Sequence, residues 1–465
     1  MLDGKFTRRG VLAGAAGSVV AANIARAQAP AARPNIVFIM ADDMGYADVS
    51  CYGRRDFLTP NIDSIAANGS RFLQGYANSA VCSATRTGLI TGRYQYRLRL
   101  GLEEPLPAGR AGIGLPPEHP TLPSLLKKAG YATTLIGKWH LGFLPDFSPL
   151  KSGYDHFYGF RGGALDYFTH TGTDHKDDLW NEDEAIKATG YSTTLFGNRA
   201  VDSINGYAHQ RQPFLISLHF NAPHWPWETI DDAAEAERLR DKALQHYDGG
   251  SQATYRRMIA AMDVQIGRVL QALDANGLTD NTIVIFTSDN GGERFADTWP
   301  FTGRKTELLE GGLRVPTIVS WPSRIPRGIV SDQVAISMDW LPTLLSAAGT
   351  APDPAFAPDG MNLLAHLTGS TAPVSRKLFW RYKANTQAAM RDGDFKYLKL
   401  RDNTFLFNVV DDPMERANLK ERRSDLYQRL VAEWNAWNAT MLPIIPESST
   451  GYFKGNELAD HIGAQ

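Results

Sequence analysis

Residues 35–45 read NIVFIMADDMG. The apolar run from Asn35 to Met40 predicts a β-strand that is buried on both faces, as in a sheet covered by helices. In open α/β sheets, ligands bind at the carboxyl ends of such strands, and Asp42 and Asp43 stand at that end. Adjacent carboxylates are costly unless a cation neutralises them. The plainer alternative is a solvated loop or a helix cap.

A second strand of the same kind also ends in polar residues. Residues 282–287 read TIVIFT, and the sequence SDNGG follows at 288–292. Asp289 and Asn290 alone are equally typical of a turn. Together with the first acidic pair they form an all-oxygen ligand set, without thiolate or imidazole. That set predicts a Ca²⁺ site, with Mg²⁺ as the less favoured ion and zinc disfavoured.

The stretch from Cys82 to Gly92 reads CSATRTGLITG and contains one of only two cysteines. A buried structural thiol normally has apolar neighbours, whereas this cysteine opens a run of small and hydroxyl residues. Arg86 lies four residues on, so the two side chains share one face of a helix. A helix start and a nearby cation both favour a negatively charged group at Cys82. An ordinary buried thiol is an equal alternative.

A lysine and a histidine follow a predicted strand over 131–136, which a predicted helix over 122–129 precedes. The block at 137–142 reads GKWHLG. On an extended backbone Lys138 and His140 point the same way, because side chains alternate with a period of two. A cation and an imidazole on one face suit an anionic tetrahedral substrate. A surface lysine with a core histidine is the plainer alternative.

A second histidine block follows a predicted strand over 214–220. It reads NAPHWPW at 221–227, and prolines on both sides fix the backbone around His224. His219, inside the strand, is predicted to be a core histidine. A helix is predicted over 254–275, where apolar residues at a spacing of three and four would cover the sheet.

These segments together resemble the type I sulfatases, which depend on formylglycine and belong to the alkaline-phosphatase superfamily. The resemblance rests on Cys-x-Ala-x-Arg with a later Thr-Gly at 82–92, GKWHLG at 137–142, Pro-His at 223–224, both acidic strand ends, GRK at 303–305 and EGGLRVP at 310–316. Ala84 stands where the usual family pattern has proline. The overall pattern is similar to the arylsulfatase and N-acetylgalactosamine-6-sulfatase branch.

The resemblance implies an α/β fold with a large mixed sheet flanked by helices, followed by a small C-terminal antiparallel sheet and a helix. Short alternating runs around DGD at 392–394 predict a hairpin in that small sheet. An amphipathic pattern predicts a helix over 425–437. The expected domains are a catalytic domain over 28–373 and a C-terminal α+β subdomain over 374–465.

The resemblance also implies the reaction, which is hydrolysis of a sulfate monoester to an alcohol and inorganic sulfate. In that family a formylglycine-generating enzyme oxidises the motif cysteine, here Cys82, and its hydrated aldehyde forms a covalent sulfo-enzyme. The implied metal ligands are Asp42, Asp43, the oxidised Cys82, Asp289 and Asn290. The implied catalytic residues are Cys82 as nucleophile, Arg86 holding the diol, Lys138 and Lys305 on the sulfate, His224 as general acid and His140 as the base that lets sulfate leave. Glu310 and Arg314 are expected to fix the fold around this site.

The first residues indicate an export signal. Arg8 and Arg9 precede a weakly apolar Gly/Ala-rich run, and Ala25-Arg26-Ala27 has small residues at the spacing of a cleavage site. This pattern predicts a bacterial twin-arginine signal peptide over 1–27 and no membrane span, because the run is too short and too rich in glycine. The expected partner is the twin-arginine export machinery, and the expected location is the periplasm or beyond. Arginines paired by chance are the alternative.

The composition is that of an ordinary globular protein, with 465 residues, 43% hydrophobic and 21% charged. A formal net charge of −2 gives no sign of a nucleic-acid surface. An exported protein can pair its cysteines. Because the resemblance requires a free Cys82, we expect no disulfide to Cys51.

The natural substrate is the feature that the sequence determines least. A sulfated sugar is expected from the resemblance, and an aryl sulfate is expected to serve as a test substrate. A polar loop is a candidate lining for the leaving-group pocket, with a purely structural loop as an equal alternative; its residues are Asp166, Tyr167, His170, Asp174 and His175. Three other functions stay open: a phosphonate or phosphate-ester hydrolase of the same superfamily, a non-catalytic glycan-binding protein with unmodified Cys82, and a thiol-dependent hydrolase.

Overall fold

The structure, a computed structural model, describes residues 33–242, 244 and 249–451. The predicted signal peptide over 1–27 lies outside the described residues. Within them, helices cover both faces of a large mixed sheet, and a small antiparallel sheet follows. The predicted fold class is therefore confirmed. None of the described helices is both long and apolar enough to span a bilayer.

The large sheet has ten strands in the described part of the chain. Numbered along the chain and given in spatial order, they are β11 (Ile329–Ser331), β2 (Gly69–Phe72), β10 (Thr317–Ser320), β9 (Thr282–Ser288), β1 (Asn35–Ala41), β8 (Phe214–His219), β4 (Ala132–Lys138), β5 (His156–Phe160), β6 (Trp180–Asn181) and β7 (Glu184–Ala185). Strands β9, β1, β8, β4 and β5 run parallel. Their carboxyl ends therefore lie along one edge of the sheet, whereas β10 is antiparallel to β9 and β2.

The side chains of β1 explain its place inside the sheet. Val37 and Ile39 belong to the core on one face, and Phe38 and Met40 belong to the core on the other. Every residue of the strand is buried. The parallel register places Ile39 opposite Phe286 of β9. An unbroken apolar strand is stable here because both faces of the sheet are covered.

Helices form a layer on each face. One core includes residues of α1 (Pro60–Ala67), α4 (Ser192–Gln210) and α6 (Gln252–Ala275). The other includes residues of α2 (Cys82–Thr91), α3 (Leu122–Lys128), α8 (Trp340–Ala347) and α9 (Leu364–Leu367). Elsewhere in the described chain lie α5 (Ala233–Leu239) and α7 (Glu310–Leu313). Short 3₁₀ helices span Tyr46–Asp48, Ser50–Tyr52, Gln95–Arg97, Leu100–Leu102, Pro149–Ser152, Thr279–Asn281, Ser337–Asp339, Pro354–Phe356 and Ala384–Thr386.

The predicted strands and helices are present, with small shifts at their ends. The helix predicted from residue 254 begins at Gln252, because Ser251 caps it and its Oγ accepts a hydrogen bond from Thr254 N at 3.1 Å. The strand predicted over 131–136 extends to Lys138. The extension brings the lysine to the carboxyl edge of the sheet.

The C-terminal part contains a four-stranded antiparallel sheet. Its strands are β13 (Lys377–Tyr382), β14 (Gln387–Asp392), β15 (Phe395–Leu400) and β16 (Asn403–Asn408). The predicted hairpin joins β14 to β15, with Gly393 in the left-handed region at φ 58°. The helix α10 (Ser424–Asn438) packs Leu430 against this sheet. The exact domain boundary at 373/374 stays a prediction.

The small sheet also contacts the catalytic part. A parallel pair, β3 (Gly75–Tyr76) with β12 (Ala335–Ile336), lies beside it. The rings of Tyr76 and Trp380 are 5.3 Å apart and belong to one core. The two cysteines are not joined by a disulfide: Cys51 is half-buried and Cys82 is buried.

Candidate active site

Four neighbouring parallel strands bring polar residues to one edge of the large sheet. These residues are Asp42 and Asp43 after β1, Lys138 at the end of β4, His224 after β8, and Asp289 and Asn290 after β9. Because the carboxyl ends of parallel strands meet at one edge, residues that are distant in sequence lie together. Cys82, the first residue of α2, joins them.

The helix that begins at Cys82 is fixed by its small residues. Cys82 is 2% exposed. Ser83 Oγ accepts a hydrogen bond from Leu106 N at 2.9 Å, so this hydroxyl anchors the next loop. At Gly88, any Cβ would lie only 2.4 Å from Asn78 Nδ2. The small and hydroxyl residues of this stretch therefore allow the helix to pack closely at the centre of the site.

The predicted metal ligands converge. The ligand atoms of Asp42, Cys82 and Asp289 all lie within 4.8 Å of one another. The other two predicted ligands, Asp43 and Asn290, contact each other, because Asn290 Nδ2 donates a hydrogen bond to Asp43 Oδ1 at 2.7 Å. Among the described residues, Asp42 Oδ1 and Asn290 Oδ1 are buried acceptors without a hydrogen-bond partner. Buried unsatisfied oxygens are costly, and carboxylate and amide oxygens are the ligands that Ca²⁺ prefers.

The electrostatics of the acidic pair also fit a cation. Burial, and after it the charge of Asp289, raises the pKa of Asp42 well above its ordinary value. At Asp43, burial acts in the same direction, but Lys305 and His224 outweigh it and hold the pKa below its usual range. A divalent cation would favour the charged form of Asp42. The donor set therefore fits a hard divalent ion.

Three buried cations surround the acidic cluster. Each contacts a different carboxylate, with Lys138 Nζ 2.6 Å from Asp42 Oδ2, Lys305 Nζ 2.6 Å from Asp43 Oδ2, and Arg86 Nη2 2.9 Å from Asp289 Oδ2. Three positive charges thus face these three carboxylates, and a fourth carboxyl group, that of Glu293, lies 3.3 Å from Lys305 Nζ. An added divalent cation would leave the site net positive, which suits an anionic substrate.

Arg86 is 2% exposed and contacts the ends of two strands, β4 and β8. Its Nη1 donates to Lys138 O at 3.3 Å and lies 3.3 Å from His219 Nδ1. His219, predicted to be a core histidine, therefore lies beneath this guanidinium at the end of β8. His219 is the last residue of that strand, and this position at the carboxyl edge of the sheet was the sequence signal that it lies near the site.

His224 faces the acidic pair through one ring nitrogen. Its Nε2 lies 3.4 Å from both Lys305 Nζ and Asp43 Oδ2. Its Nδ1 lies 2.7 Å from Trp225 O. Because a carbonyl oxygen only accepts, Nδ1 carries a proton, and Nε2 is free to exchange one. Burial lowers the pKa of His224, although Asp43 opposes that effect.

His140 is positioned differently from the prediction. Strand β4 ends at Lys138, and His140 has a left-handed backbone with φ 55°. The argument from an extended backbone is therefore wrong. His140 Nε2 donates to Leu106 O at 2.8 Å, and its buried Nδ1 has no partner among the described residues. Burial, with Lys138, lowers the pKa of His140, so the ring is a neutral base.

The Cys82 thiol is not activated as a thiolate. Burial raises its pKa above the ordinary value, although Lys138 and Lys305 act in the opposite direction. Reactive cysteines instead have a depressed pKa in partly exposed, electropositive surroundings. This electrostatic setting disfavours a thiol-dependent hydrolase.

Glu293 was not singled out in the sequence. Its Oε2 lies 3.3 Å from Lys305 Nζ, and burial raises the pKa of Glu293 to about 7. For Lys305, Asp43 and Glu293 outweigh burial and raise the pKa of the ammonium group. The only sequence signal was the position of Glu293 immediately after the glycines at 291–292.

In the polar loop predicted as a possible pocket lining, three buried residues make structural contacts. Tyr167 OH donates to His224 O at 2.9 Å and thereby holds the histidine block. Asp166 Oδ1 accepts hydrogen bonds from two nearby backbone amides, and His170 bonds to Gly190 O at 3.1 Å. Residues 174 and 175 are exposed, and their place in the lining of a leaving-group pocket stays a prediction.

Glu310 and Arg314 fix the fold, as expected. Arg314 Nε lies 2.5 Å from Glu310 Oε2, and Lys396 Nζ lies 2.9 Å from Glu310 Oε1. Tyr76 OH donates to the same carboxylate at 2.6 Å. This buried network connects the small C-terminal sheet to the segment that follows Lys305.

Comparison with known proteins gives one family. The sulfatase family model matches residues 34–350. N-acetylgalactosamine-6-sulfatase from Canis lupus familiaris is 33% identical over 400 residues, which are 81% of this chain and 73% of that protein. Arylsulfatase J from Mus musculus is 28% identical over 89% of this chain and 77% of its own length.

Solved structures agree with the sequence comparison. The structure of Ps i-CgsB in complex with k-i-k-neocarrahexaose has a TM-score of 0.80 and 30% identity, covering 93% of this chain and 98% of that one. Phosphonate monoester hydrolase of Agrobacterium radiobacter, at 22% identity and a TM-score of 0.62 over 88% of this chain and 96% of its own, shares the fold. The family predicted from the motifs is confirmed. The chain belongs to the sulfatase family and is a sulfuric ester hydrolase.

Proposed function

We propose that this chain hydrolyses sulfate esters of carbohydrates, using formylglycine made from Cys82 and a bound Ca²⁺. The observation that carries the proposal is the meeting of Cys82 with both acidic strand ends, where the ligand atoms of Cys82, Asp42 and Asp289 lie within 4.8 Å. Neither a structural thiol nor a thiolate nucleophile accounts for that arrangement. The sulfated-sugar substrate is supported by the N-acetylgalactosamine-6-sulfatase relatives and by the neighbour solved in complex with k-i-k-neocarrahexaose.

A bound Ca²⁺ and the oxidised Cys82 would supply two kinds of chemistry. Ca²⁺, held by Asp42, Asp43, Asp289 and Asn290, would act as a Lewis acid that neutralises charge on oxygen. The oxidised and hydrated side chain at Cys82 supplies a nucleophilic hydroxyl and a second hydroxyl whose deprotonation releases sulfate. A formylglycine-generating enzyme and export by the twin-arginine machinery to the periplasm belong to the same proposal. They rest on the motif at 82–92 and the pattern over 1–27.

Lys138 and Lys305 bind the sulfate oxygens. Each ammonium has three donors. Lys138 uses one of them on Asp42 at 2.6 Å, whereas Lys305 lies 2.6 Å from Asp43 and makes two longer contacts, at 3.3 Å to Glu293 and at 3.4 Å to His224. The remaining donors of Lys138 are available to an anion, and an anion can replace the longer contacts of Lys305, because hydrogen bonds between charged groups are the stronger ones. Because both lysines are buried, their contacts with developing negative charge gain strength from the low local dielectric.

His224 donates a proton to the leaving alcohol oxygen as the sulfur–oxygen bond breaks. An anionic ester adds negative charge beside the ring and so opposes the effect of burial on its pKa. His140 then takes a proton from the second hydroxyl at residue 82, through the Nδ1 that has no partner among the described residues. Arg86 holds Asp289 in place at 2.9 Å, and Asp289 is the nearby acceptor for the proton of the attacking hydroxyl.

The test compares 4-nitrophenyl sulfate with an aryl phosphonate, using protein co-produced with a formylglycine-generating enzyme. We expect the sulfate to be turned over faster, Cys82→Ala to be inactive, and the matched control Cys51→Ala to keep wild-type activity. Faster turnover of the phosphonate would favour a phosphonate hydrolase. Glycan binding without any turnover would favour the non-catalytic alternative.

A further inference from the structure

A polar pocket of about 500 Å³ lies next to the candidate active site. Its lining combines three arginines and a tryptophan with two carboxylates, a glutamine and a glycine: Arg54, Arg55, Arg256, Trp299, Asp56, Asp297, Gln252 and Gly53. No step of the proposed reaction uses any of these residues. A flat aromatic ring and guanidinium donors together can bind a ligand that has both an apolar face and an anionic group.

The pocket is built on the loops that also form the active site. Residues 53–56 belong to the loop after β1, and residues 297–299 belong to the loop after β9 that continues to Lys305. Asp48 connects the two sites, because it accepts hydrogen bonds from Gly45 N at 2.8 Å and from Arg54 Nη1 at 2.9 Å. Gly45 is two residues beyond Asp43. The pocket therefore lies at the same edge of the sheet as the catalytic cluster.

The arginines of the pocket differ in how far they are already paired. Arg54 is buried between Asp48 and Asp56, at 2.9 and 2.6 Å, and is therefore committed to the fold. Arg256 pairs with Asp56 at 2.6 Å through Nη2, its Nε is buried, and its Nη1 has no hydrogen bond or ion pair within the described chain. Arg55 is exposed and, within the described chain, has neither a hydrogen bond nor an ion pair. Arg55 and Arg256 thus retain donors for an anion, which guanidinium groups can bind in a bidentate manner.

Trp299 presents a large aromatic surface at the pocket. It is 61% exposed, although tryptophan normally buries most of its surface. Its backbone is held in place, since Trp299 N donates to Asp297 Oδ1 at 3.0 Å and Thr298 Oγ1 donates to Phe301 O at 3.2 Å. A large exposed aromatic ring beside polar groups suits a binding surface, where tryptophan is enriched. The flat ring suits the apolar face of a sugar, and the neighbouring arginines suit its sulfate group.

We propose that this pocket is a second sugar-binding site. It holds a neighbouring sulfated sugar of an oligosaccharide whose target ester lies at Cys82, with Trp299 against the sugar ring and Arg55 and Arg256 on its sulfate. The proposal rests on the proposed function, since it requires a sulfated carbohydrate in the active site. It predicts that the enzyme prefers longer oligosaccharides to monosaccharides and small aryl esters.

The experiment uses Trp299→Ala and Arg55→Ala, with Arg422→Ala as the control at another exposed arginine that has no partner within the described residues. The substrates are 4-nitrophenyl sulfate and size-graded carrageenan and chondroitin sulfate oligosaccharides. For the hexasaccharide that the wild type cleaves, we expect KM to rise roughly tenfold in each pocket variant, equivalent to about 1.4 kcal/mol, with kcat unchanged. Aryl sulfate kinetics should stay within about twofold, because the pocket does not contact that substrate.

Three results would overturn the second site. The first is an equal loss of kcat/KM on the aryl sulfate and the hexasaccharide in the pocket variants. The second is an unchanged KM of these variants for the hexasaccharide. The third is a wild type that cleaves the aryl sulfate but neither binds nor cleaves any of the oligosaccharides. A wild type that turns over no sulfate ester at all would instead refute the proposed function. In that case, direct titration of the wild type and Trp299→Ala with the hexasaccharides tests the second sugar-binding site. Weaker binding by Trp299→Ala than by the wild type supports the site. Equal binding by the two proteins, or no binding by the wild type, refutes it.

Discussion

Lys305 Nζ lies 2.6 Å from Asp43 Oδ2, although the two residues are 262 positions apart in the sequence. The same distance separates Lys138 from Asp42, on the neighbouring side of the cluster. Both pairs are buried, so the loss of one partner leaves an uncompensated charge. This pairing keeps the two ammonium groups in place before an anionic substrate arrives.

Replacing Lys305 should therefore reduce catalysis. In Lys305→Gln we expect kcat/KM for 4-nitrophenyl sulfate to fall by about 10²- to 10³-fold, since a charged donor to the sulfate is lost. The control is Lys128→Ala, an exposed residue at the end of α3. Circular dichroism establishes whether the variant is folded. Wild-type kcat/KM in folded Lys305→Gln would contradict the assigned role.

The role of His224 predicts a dependence on the leaving group. His224→Gln should lower kcat for a sugar or alkyl sulfate by about 10²- to 10⁴-fold, because an alcohol leaves poorly without a proton donor. For 4-nitrophenyl sulfate the loss should be much smaller, since nitrophenolate is a stable anion. His209→Gln, at an exposed position on α4, serves as the control. Equal losses on both substrates would exclude His224 as the general acid.

Removal of the cation should destabilise the protein as well as inactivate it. A chelator is expected to lower Tm, because the buried carboxylates of Asp42 and Asp289 then repel one another. Ca²⁺ at 100 times its Kd would restore about 2.7 kcal/mol of stability, and Mg²⁺ should restore less at equal concentration. Asp289→Asn should weaken this response, and Asp280→Asn, an exposed control, should preserve it. An unchanged Tm after chelation would argue against a resident metal.

Glu104, which has no assigned role in the reaction, is expected to make stability depend on pH. Burial raises its pKa to about 8, although its Oε2 accepts a hydrogen bond from Lys383 N at 2.8 Å. A carboxyl group with a raised folded pKa binds more protons when folded, so stability falls as pH rises from about 4.5 to 8.

The isosteric variant Glu104→Gln has no charge to lose. Relative to the wild type, its unfolding free energy should increase between pH 5 and pH 8 by about 3 kcal/mol. Urea unfolding at both pH values measures this change, with Glu421→Gln as an exposed control. A difference between variant and wild type that stays constant with pH would show that Glu104 is ionised when folded.

The strands that carry the site could be predicted from the sequence alone. Short unbroken apolar runs such as 35–40 and 282–287 are typical of strands buried on both faces. The polar residues after them could therefore be placed at one edge of the sheet. The short strand β2, with the sequence GSRF, has no such pattern. Its place beside β10 depends on tertiary pairing, which neither propensity nor periodicity encodes.

The site was predictable in its residue types but not in its local geometry. The proposed role of Cys82 rests on motif resemblance, because burial and spacing alone also fit an inert thiol. The left-handed backbone of His140 and the contact of Glu293 with Lys305 depend on close tertiary packing. Gly292, which precedes Glu293, is an example of such packing, because a Cβ there would lie 2.8 Å from the backbone nitrogen of Gly45. Such contacts between distant loops leave little signal in a single sequence.

The most direct test of the account is peptide mass spectrometry across residue 82, in protein that hydrolyses 4-nitrophenyl sulfate. We predict that the peptide carries an aldehyde, in which a carbonyl oxygen has replaced the thiol, and that the aldehyde fraction rises in proportion to specific activity. An active preparation in which Cys82 is entirely thiol would contradict the account.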